Sequence, residues 1–293
     1  MILVTGATGL SGRQLVAILS AQGIPVRALV RTPSKAQALA SLPGVEIVEG
    51  DMRHLDQLAT ALRGVDRAML ISSSTPDMLE VQSSFIDAAK AAGVKHVVKL
   101  SGIIPELDSP FRFARMHGEI EKRLEDSGLG FTHLRAGEFM TAYFRQAQAI
   151  ATRGVLPLAM GDARIASLDV MDLVKVAAVV LTTPGHEGKT YPLTGPESLS
   201  MGEVAECLTA AIGKPVRYVQ LDPAEAHKAR LAAGMPSYLA DGLDELFAER
   251  RKGKEAKVWP TIEDVFGWRP TSFEEFARRN ASIFRGEDAA PRV

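Results

Sequence analysis

A single cysteine, Cys207, stands in 293 residues, so the chain can form neither an internal disulfide nor a multi-cysteine metal site, and no metal is expected. Charge of one sign is also missing. With 34 Lys and Arg against 35 Asp and Glu, the formal net charge is −1, which gives nucleic acid or anionic lipid nothing to be drawn to. No apolar run is long enough to span a bilayer. The amino terminus opens on an apolar strand rather than a cationic leader, so no signal peptide is expected and residence in the cytoplasm is. There is no internal repeat and no low-complexity tract. The composition, 46% hydrophobic, suits a large core in one domain or one and a half.

What is present begins at once. Residues Met1 to Gln14 read as a hydrophobic strand, a glycine-rich turn and the start of a helix. Gly6, Gly9 and Gly12 fall in a G-x-x-G-x-x-G pattern. The first allows the tight turn, the second the approach of the backbone to phosphates, and the third the closure of helix on strand. The helix N-terminus adds N–H groups and a positive dipole end, so this is a pyrophosphate cradle; Thr8 and Leu10 are counted with the glycines as cofactor contacts. A second absence then selects the dinucleotide. Between Gly12 and Glu46 there is no Asp or Glu, although an NAD site usually places a carboxylate at the end of the second strand for the ribose hydroxyls. The second strand, Pro25 to Val30, runs instead into Arg31, with Arg27 and Lys35 nearby. Arg31 and Lys35 are placed to pair with a 2′-phosphate, so NADP(H) is expected over NAD(H); the alternative is that both are solvated surface charges.

Strands and helices alternate onward. Strands are predicted at Val45 to Glu49, Arg67 to Ile71, His96 to Leu100 and Phe131 to Leu134, with helices near Leu55 to Leu62, Met78 to Ala91, Phe113 to Leu124 and Phe139 to Ala151. That rhythm predicts an α/β fold with a doubly wound parallel sheet. Later elements at Arg164 to Leu168, Val170 to Leu181, Thr190 to Leu193, Met201 to Ile212 and Val216 to Leu221 are expected to be shared with a smaller α/β C-terminal substrate unit. The expected division is a dinucleotide-binding Rossmann domain over residues 1–185 and a cap over 186–293. The run Arg250 to Lys257 is expected to be a solvated loop, because Gly253 interrupts it.

These residues carry a resemblance. The segments Thr5 to Gly12, Leu29 to Lys35, Gly50-Asp51, Ile71 to Ser74, Leu100 to Gly102, His117 to Glu121, Leu134 to Met140 and Tyr191 to Pro196 resemble the atypical short-chain dehydrogenases of the NmrA-like group. Within that group the chain is similar to the NAD(P)H-dependent quinone and triphenylmethane-dye reductases, over essentially its whole length. The resemblance implies that Asp51 and Met52 border the adenine and that Ser72 and Ser73 line the cofactor near its ribose. It also implies that the turn Ala136 to Phe139, with Glu138, faces the nicotinamide. Taken alone, each serine is as readily a turn or capping residue as a ligand.

The departure from the wider family is a missing phenol. Ordinary short-chain dehydrogenases use a Ser with Tyr and Lys in Y-x-x-x-K spacing. With Ser101 at the serine position, Phe113 falls at the tyrosine and His117 at the lysine. His117 is then the titratable candidate beside the nicotinamide, either as general acid or as a ligand of the cofactor ribose, and Phe113 is a wall. A ketone reduced without a phenol would leave a strongly basic alkoxide. A quinone leaves a phenolate whose acid has a pKa of about 10, and a cationic dye leaves nothing to protonate. The expected reaction is therefore hydride transfer to a quinone-like or delocalised aromatic acceptor, with Phe111, Phe113, Phe139, Met140, Tyr143 and Phe144 as candidates for an apolar wall. A catalytically weak NAD(P) redox sensor acting on a protein partner is the alternative. The small-molecule acceptor is the expected partner of a monomer or homodimer.

Overall fold

The protein, seen in a computed structural model that describes residues 1–290, divides into two compact units. The first comprises Met1–Ser109, Phe113–Arg135 and Leu173–Tyr191; the second comprises Pro110–Arg112, Ala136–Asp172 and the described chain from Pro192 on. The single boundary expected between residues 185 and 186 thus falls inside the first unit, which reclaims Leu173–Tyr191 after the chain has left it.

Along the chain, β1 (Ile2–Val4) leads to α1 (Leu10–Ala21), β2 (Val26–Val30) to the short α2 (Gln37–Ala40), and β3 (Val45–Glu49) to α3 (Leu55–Ala61). β4 (Arg67–Leu70) then leads to α4 (Met78–Ala91), β5 (His96–Gly102) to α5 (Arg112–Asp126), and β6 (Gly130–Ala136) ends this alternation. There follow α6 (Ala147–Arg153), β7 (Val155–Leu158), β8 (Arg164–Ile165), α7 (Val170–Thr182) and β9 (Lys189–Leu193). β10 (Leu199–Ser200), α8 (Met201–Ile212), β11 (Arg217–Gln220), α9 (Pro223–Ala232) and α10 (Ser237–Arg251) come next, before α11 (Phe273–Arg279) and α12 (Ala281–Arg285).

Seven strands form the main sheet in the order β3-β2-β1-β4-β5-β6-β9. The pairs β2–β3, β1–β2, β1–β4 and β4–β5 are parallel. A parallel strand covered on both faces must be apolar throughout, and Ile2, Leu3 and Val4 are all buried. The helices bury one stripe each: α1 buries Leu15, Val16 and Leu19, and α4 buries Val81, Phe85, Ile86 and Ala89. Thr5 staples the outgoing ends of β1 and β4, donating from Oγ1 to the Ile71 carbonyl at 2.7 Å and accepting the Ile71 N–H at 2.8 Å.

The second unit packs around its own core, with Phe144 stacked on Phe276 at 5.5 Å and Tyr143 edge-on to Phe273 at 5.1 Å. β7 pairs in parallel with β11, and β8 with β10 in antiparallel sense. Capping boxes begin α8, through Ser200 and Glu203, and α11, through Ser272 and Glu275. Three expectations are corrected here. The helix predicted from Phe139 to Ala151 opens as a 3-10 stretch, Met140–Gln146, and is α-helical only from Ala147. The strand predicted from Arg164 to Leu168 keeps two residues, because the following backbone is used to hold another turn: Leu168 N–H bonds to Glu138 O and Met140 N–H to Leu168 O. The solvated loop predicted at Arg250 to Lys257 begins inside α10, and Arg250 and Glu255 are buried as an ion pair.

Candidate active site

Among parallel strands the outgoing ends form a crevice where the strand order reverses, and here the reversal lies between β1 and β4. The glycine turn occupies that point. Gly6 has φ +58°, a region open to glycine, and a Cβ there would lie 3.0 Å from Ile71 Cγ2. A Cβ at Gly12 would sit 2.2 Å from the Gly6 carbonyl oxygen, an impossible contact, and one at Gly9 3.1 Å from the same atom. The first turn of α1 carries no acidic residue, and its N-cap, Gly9, makes no side-chain cap bond. Uncapped N–H groups at a helix start beside a turn with glycine at both ends fit a pyrophosphate.

The ends of the neighbouring strands supply the remaining first-unit candidates. Arg27 is spent structurally, on Glu46 at 2.9 Å and on the carbonyls of Ala61 and Arg63. Arg31 and Lys35 are exposed, and neither side chain makes a hydrogen bond or ion pair with a described residue. Asp51 pairs with Arg53 at 3.2 Å, and Arg53 in turn bonds Asp77 at 2.7 Å. Met52 packs half-buried on the first unit's core. Ser72 Oγ accepts from Gln82 Nε2 at 2.8 Å, while Ser73 is exposed.

A residue that the motif reading passed over stands behind Ser101. Lys99 and Ser101 lie two apart on β5 and share a face. The Lys99 side chain is fully buried, and its Nζ donates to Ser101 Oγ at 3.1 Å, to the Leu100 carbonyl at 3.3 Å and to His117 Nδ1 at 2.9 Å. Among the described residues no carboxylate pairs with it; the nearby Glu121 is held by Arg135 at 2.6 Å. Burial therefore dominates and lowers the Lys99 ammonium to a pKa of about 7. Burial, aided by the Lys99 charge, also holds His117 well below its ordinary value, so the imidazole is neutral at pH 7. A neutral ring that accepts at Nδ1 carries its proton on Nε2. Gly102 makes room for that ring, since a Cβ there would lie 3.3 Å from His117 Cδ2. Phe113, one helical turn before His117, is buried on α5.

In the second unit, the turn Ala136 to Phe139 is fixed by backbone bonds to Leu193 and Leu168. The Glu138 carboxylate bonds Arg250 Nη1 through Oε1 at 2.7 Å, while its buried Oε2 has no hydrogen-bond partner. Arg250 also holds Glu255 at 2.9 Å, giving a buried acid–base–acid row. Beside it opens a cavity of about 650 Å³ lined by Glu138, Tyr143, Met160, Leu243 and Phe247 and edged by arginines. Of the wall candidates, Tyr143 lines this cavity. Met140 and Phe144 are buried in the core, and Phe111 and Phe139 are half-buried elsewhere. The signal for Lys99 was legible as a charge among the apolar residues Val97, Val98 and Leu100; Arg250, whose partner Glu138 is distant in sequence, gave none.

The comparisons with known proteins agree in kind. A model described as the NmrA-like family matches residues 1–277. An NAD(P)H azoreductase of Xenophilus azovorans is 39% identical over 284 residues, which is 97% of this chain and 99% of the relative. Among solved structures, the NADPH-dependent quinone oxidoreductase of Escherichia coli complexed with NADPH superposes with a TM-score of 0.87 at 36% identity, over 95% of this chain and 99% of that one. The Citrobacter triphenylmethane reductase complexed with NADP(H) gives 0.86 at 28% identity, over 96% and 100%.

Proposed function

The chain belongs to the NmrA-like family, and from that premise we propose that it is an NADPH-dependent reductase that passes a hydride to a quinone-like or other delocalised aromatic acceptor. The observation that carries this reading is the glycine cradle at Gly6, Gly9 and Gly12 after β1 together with the buried Lys99–Ser101–His117 group on β5 of the same sheet. Bound reduced nicotinamide supplies the hydride. The chain's own groups then supply position and one proton. When a quinone accepts a hydride it becomes a hydroquinone anion, which needs a single proton. His117 gives it from Nε2 while taking one at Nδ1 from Lys99; a solvent proton taken up at Nε2 and return of the Nδ1 proton to the neutral amine then reset the pair. A donor of pKa about 7 facing an anion whose acid lies near 10 transfers downhill. The test is NADPH oxidation against a panel of quinones and azo and triphenylmethane dyes. Tight NADPH binding with no turnover of any acceptor would overturn the reading in favour of a redox sensor.

Arg31 is the residue for the cofactor's 2′-phosphate. Arg31→Ala is expected to weaken NADPH by roughly 1.5–3 kcal/mol and to leave NADH nearly unchanged in fluorescence titrations. Equal losses for both cofactors would rule the role out.

The relay predicts a signed pH dependence. The Lys99 ammonium is present below pH about 7 and lost above it, so kcat for a quinone should fall as pH rises through 7, whereas a cationic dye should show no such limb. His117→Ala should lower quinone turnover by about 10²-fold or less and hardly touch the dye. Lys99→Met should erase the limb while stabilising the fold. Its depressed pKa means that the unfolded state binds the proton better between about 7 and 10.5, so the lysine's penalty is full at pH 7 and fades towards pH 10. Set against three lost hydrogen bonds, the net gain at pH 7 is about 1–3 kcal/mol, checked by urea denaturation at both pH values.

A further inference from the structure

The cavity in the second unit is apolar on most of its wall, with Met160, Leu243 and Phe247 among its lining. The charges on its exposed rim are of one sign. Glu138, set inside, shares Arg250 with Glu255, so that buried row keeps one net negative charge, and Arg230 is paired with Asp244. That leaves Arg145 and Arg153, both exposed and both on the lining, whose side chains make no hydrogen bond or ion pair with a described residue. Arg145 sits in the 3-10 stretch after the Ala136–Phe139 turn, and Arg153 closes α6, so two guanidiniums edge a pocket whose depth is greasy.

We infer that this cavity binds aromatic molecules bearing an anionic substituent, a sulfonate or carboxylate, with the ring in the apolar depth and the anion on Arg145 and Arg153. Guanidinium groups suit carboxylates and sulfonates because they present paired N–H donors to two oxygens of the same anion. The volume, about 650 Å³, lies in the range of sites for molecules of two or three rings. That the bound molecule is the hydride acceptor rests on the reductase reading. The anion site itself does not.

Two paired probes separate these. The first pair is 1,4-naphthoquinone and its 2-sulfonate, read as KM with NADPH. The second is N-phenyl-1-naphthylamine and 8-anilinonaphthalene-1-sulfonate, read as Kd by fluorescence without turnover. In Arg145→Glu/Arg153→Glu, KM for the sulfonated quinone and Kd for the sulfonated fluorophore should each rise by about 10- to 100-fold, and the neutral member of each pair should move by less than about threefold. Arg145→Ala should give an intermediate rise, which guards against a folding defect in the double variant. Loss of fluorophore binding in a protein that reduces no quinone would leave the anion site standing and remove the reductase reading. Equal shifts for charged and neutral members, or none for either, would overturn the site.

Discussion

Arg250→Ala is expected to cost about 3–5 kcal/mol of stability, the largest loss of any single substitution considered, because it leaves two buried carboxylates facing each other without their cation. Arg250 exposes 3% of its side chain, Glu138 13% and Glu255 8%, so water cannot take over the role of the guanidinium. The loss should depend on pH in a stated direction. Burial already raises the Glu138 pKa, and removing Arg250 raises it further. The folded variant then binds protons more tightly than the unfolded chain above the ordinary carboxylate range, so its stability falls as pH rises and the defect is milder at pH 5 than at pH 8. Replacing the row as a whole, Arg250→Met with Glu138→Gln and Glu255→Gln, should recover most of the loss. Urea midpoints at the two pH values decide the matter. A defect of equal size at both would mean that packing, including the Arg250 contact with Phe247, and not charge, is what Arg250 supplies.

Gly12→Ala is expected to abolish measurable NADPH binding. The added methyl would meet the Gly6 carbonyl oxygen at 2.2 Å, backbone against backbone, so the start of α1 must move away from β1. That shift removes the N–H groups that the pyrophosphate needs, and it costs about 1–3 kcal/mol in overpacking besides. Gly9→Ala is the graded comparison: its Cβ contact of 3.1 Å asks for a few tenths of an ångström, and binding should weaken without vanishing. Circular dichroism should report an intact fold for both. NADPH affinity retained in Gly12→Ala would separate the turn from the cofactor altogether.

Much of the first unit was legible because its signals are local. A three-residue apolar strand and glycines three apart are decided by neighbours in sequence, and both form the strand and turn expected. The Phe113–His117 pair was legible for the same reason, one helical turn apart. Lys99 belongs to no motif, yet the same period-two alternation that orients Ser101 orients the lysine two positions before it. The second unit was read less well. Arg250 looks like one of several charges before a glycine, and only the fold brings it to Glu138. Met140 and Phe144 have the composition of a pocket wall but the burial of core, a distinction that depends on the aromatic residues of α11 and α12 arriving beside them.

The sheet order has a consequence for synthesis. β6 ends at Ala136 and its outer neighbour β9 begins at Lys189, so about fifty residues must leave the ribosome before that side of β6 is covered. At about 5–20 residues per second the delay is roughly 3–10 s. During it, the carbonyl of Phe131 lacks the Gly188 N–H that it later receives at 2.7 Å, and the strand is an open template for any other extended chain. The nascent protein is thus most exposed to mispairing in the interval between its sixth strand and the return of the chain at Leu173–Tyr191, and a ribosome pausing there would lengthen the risk.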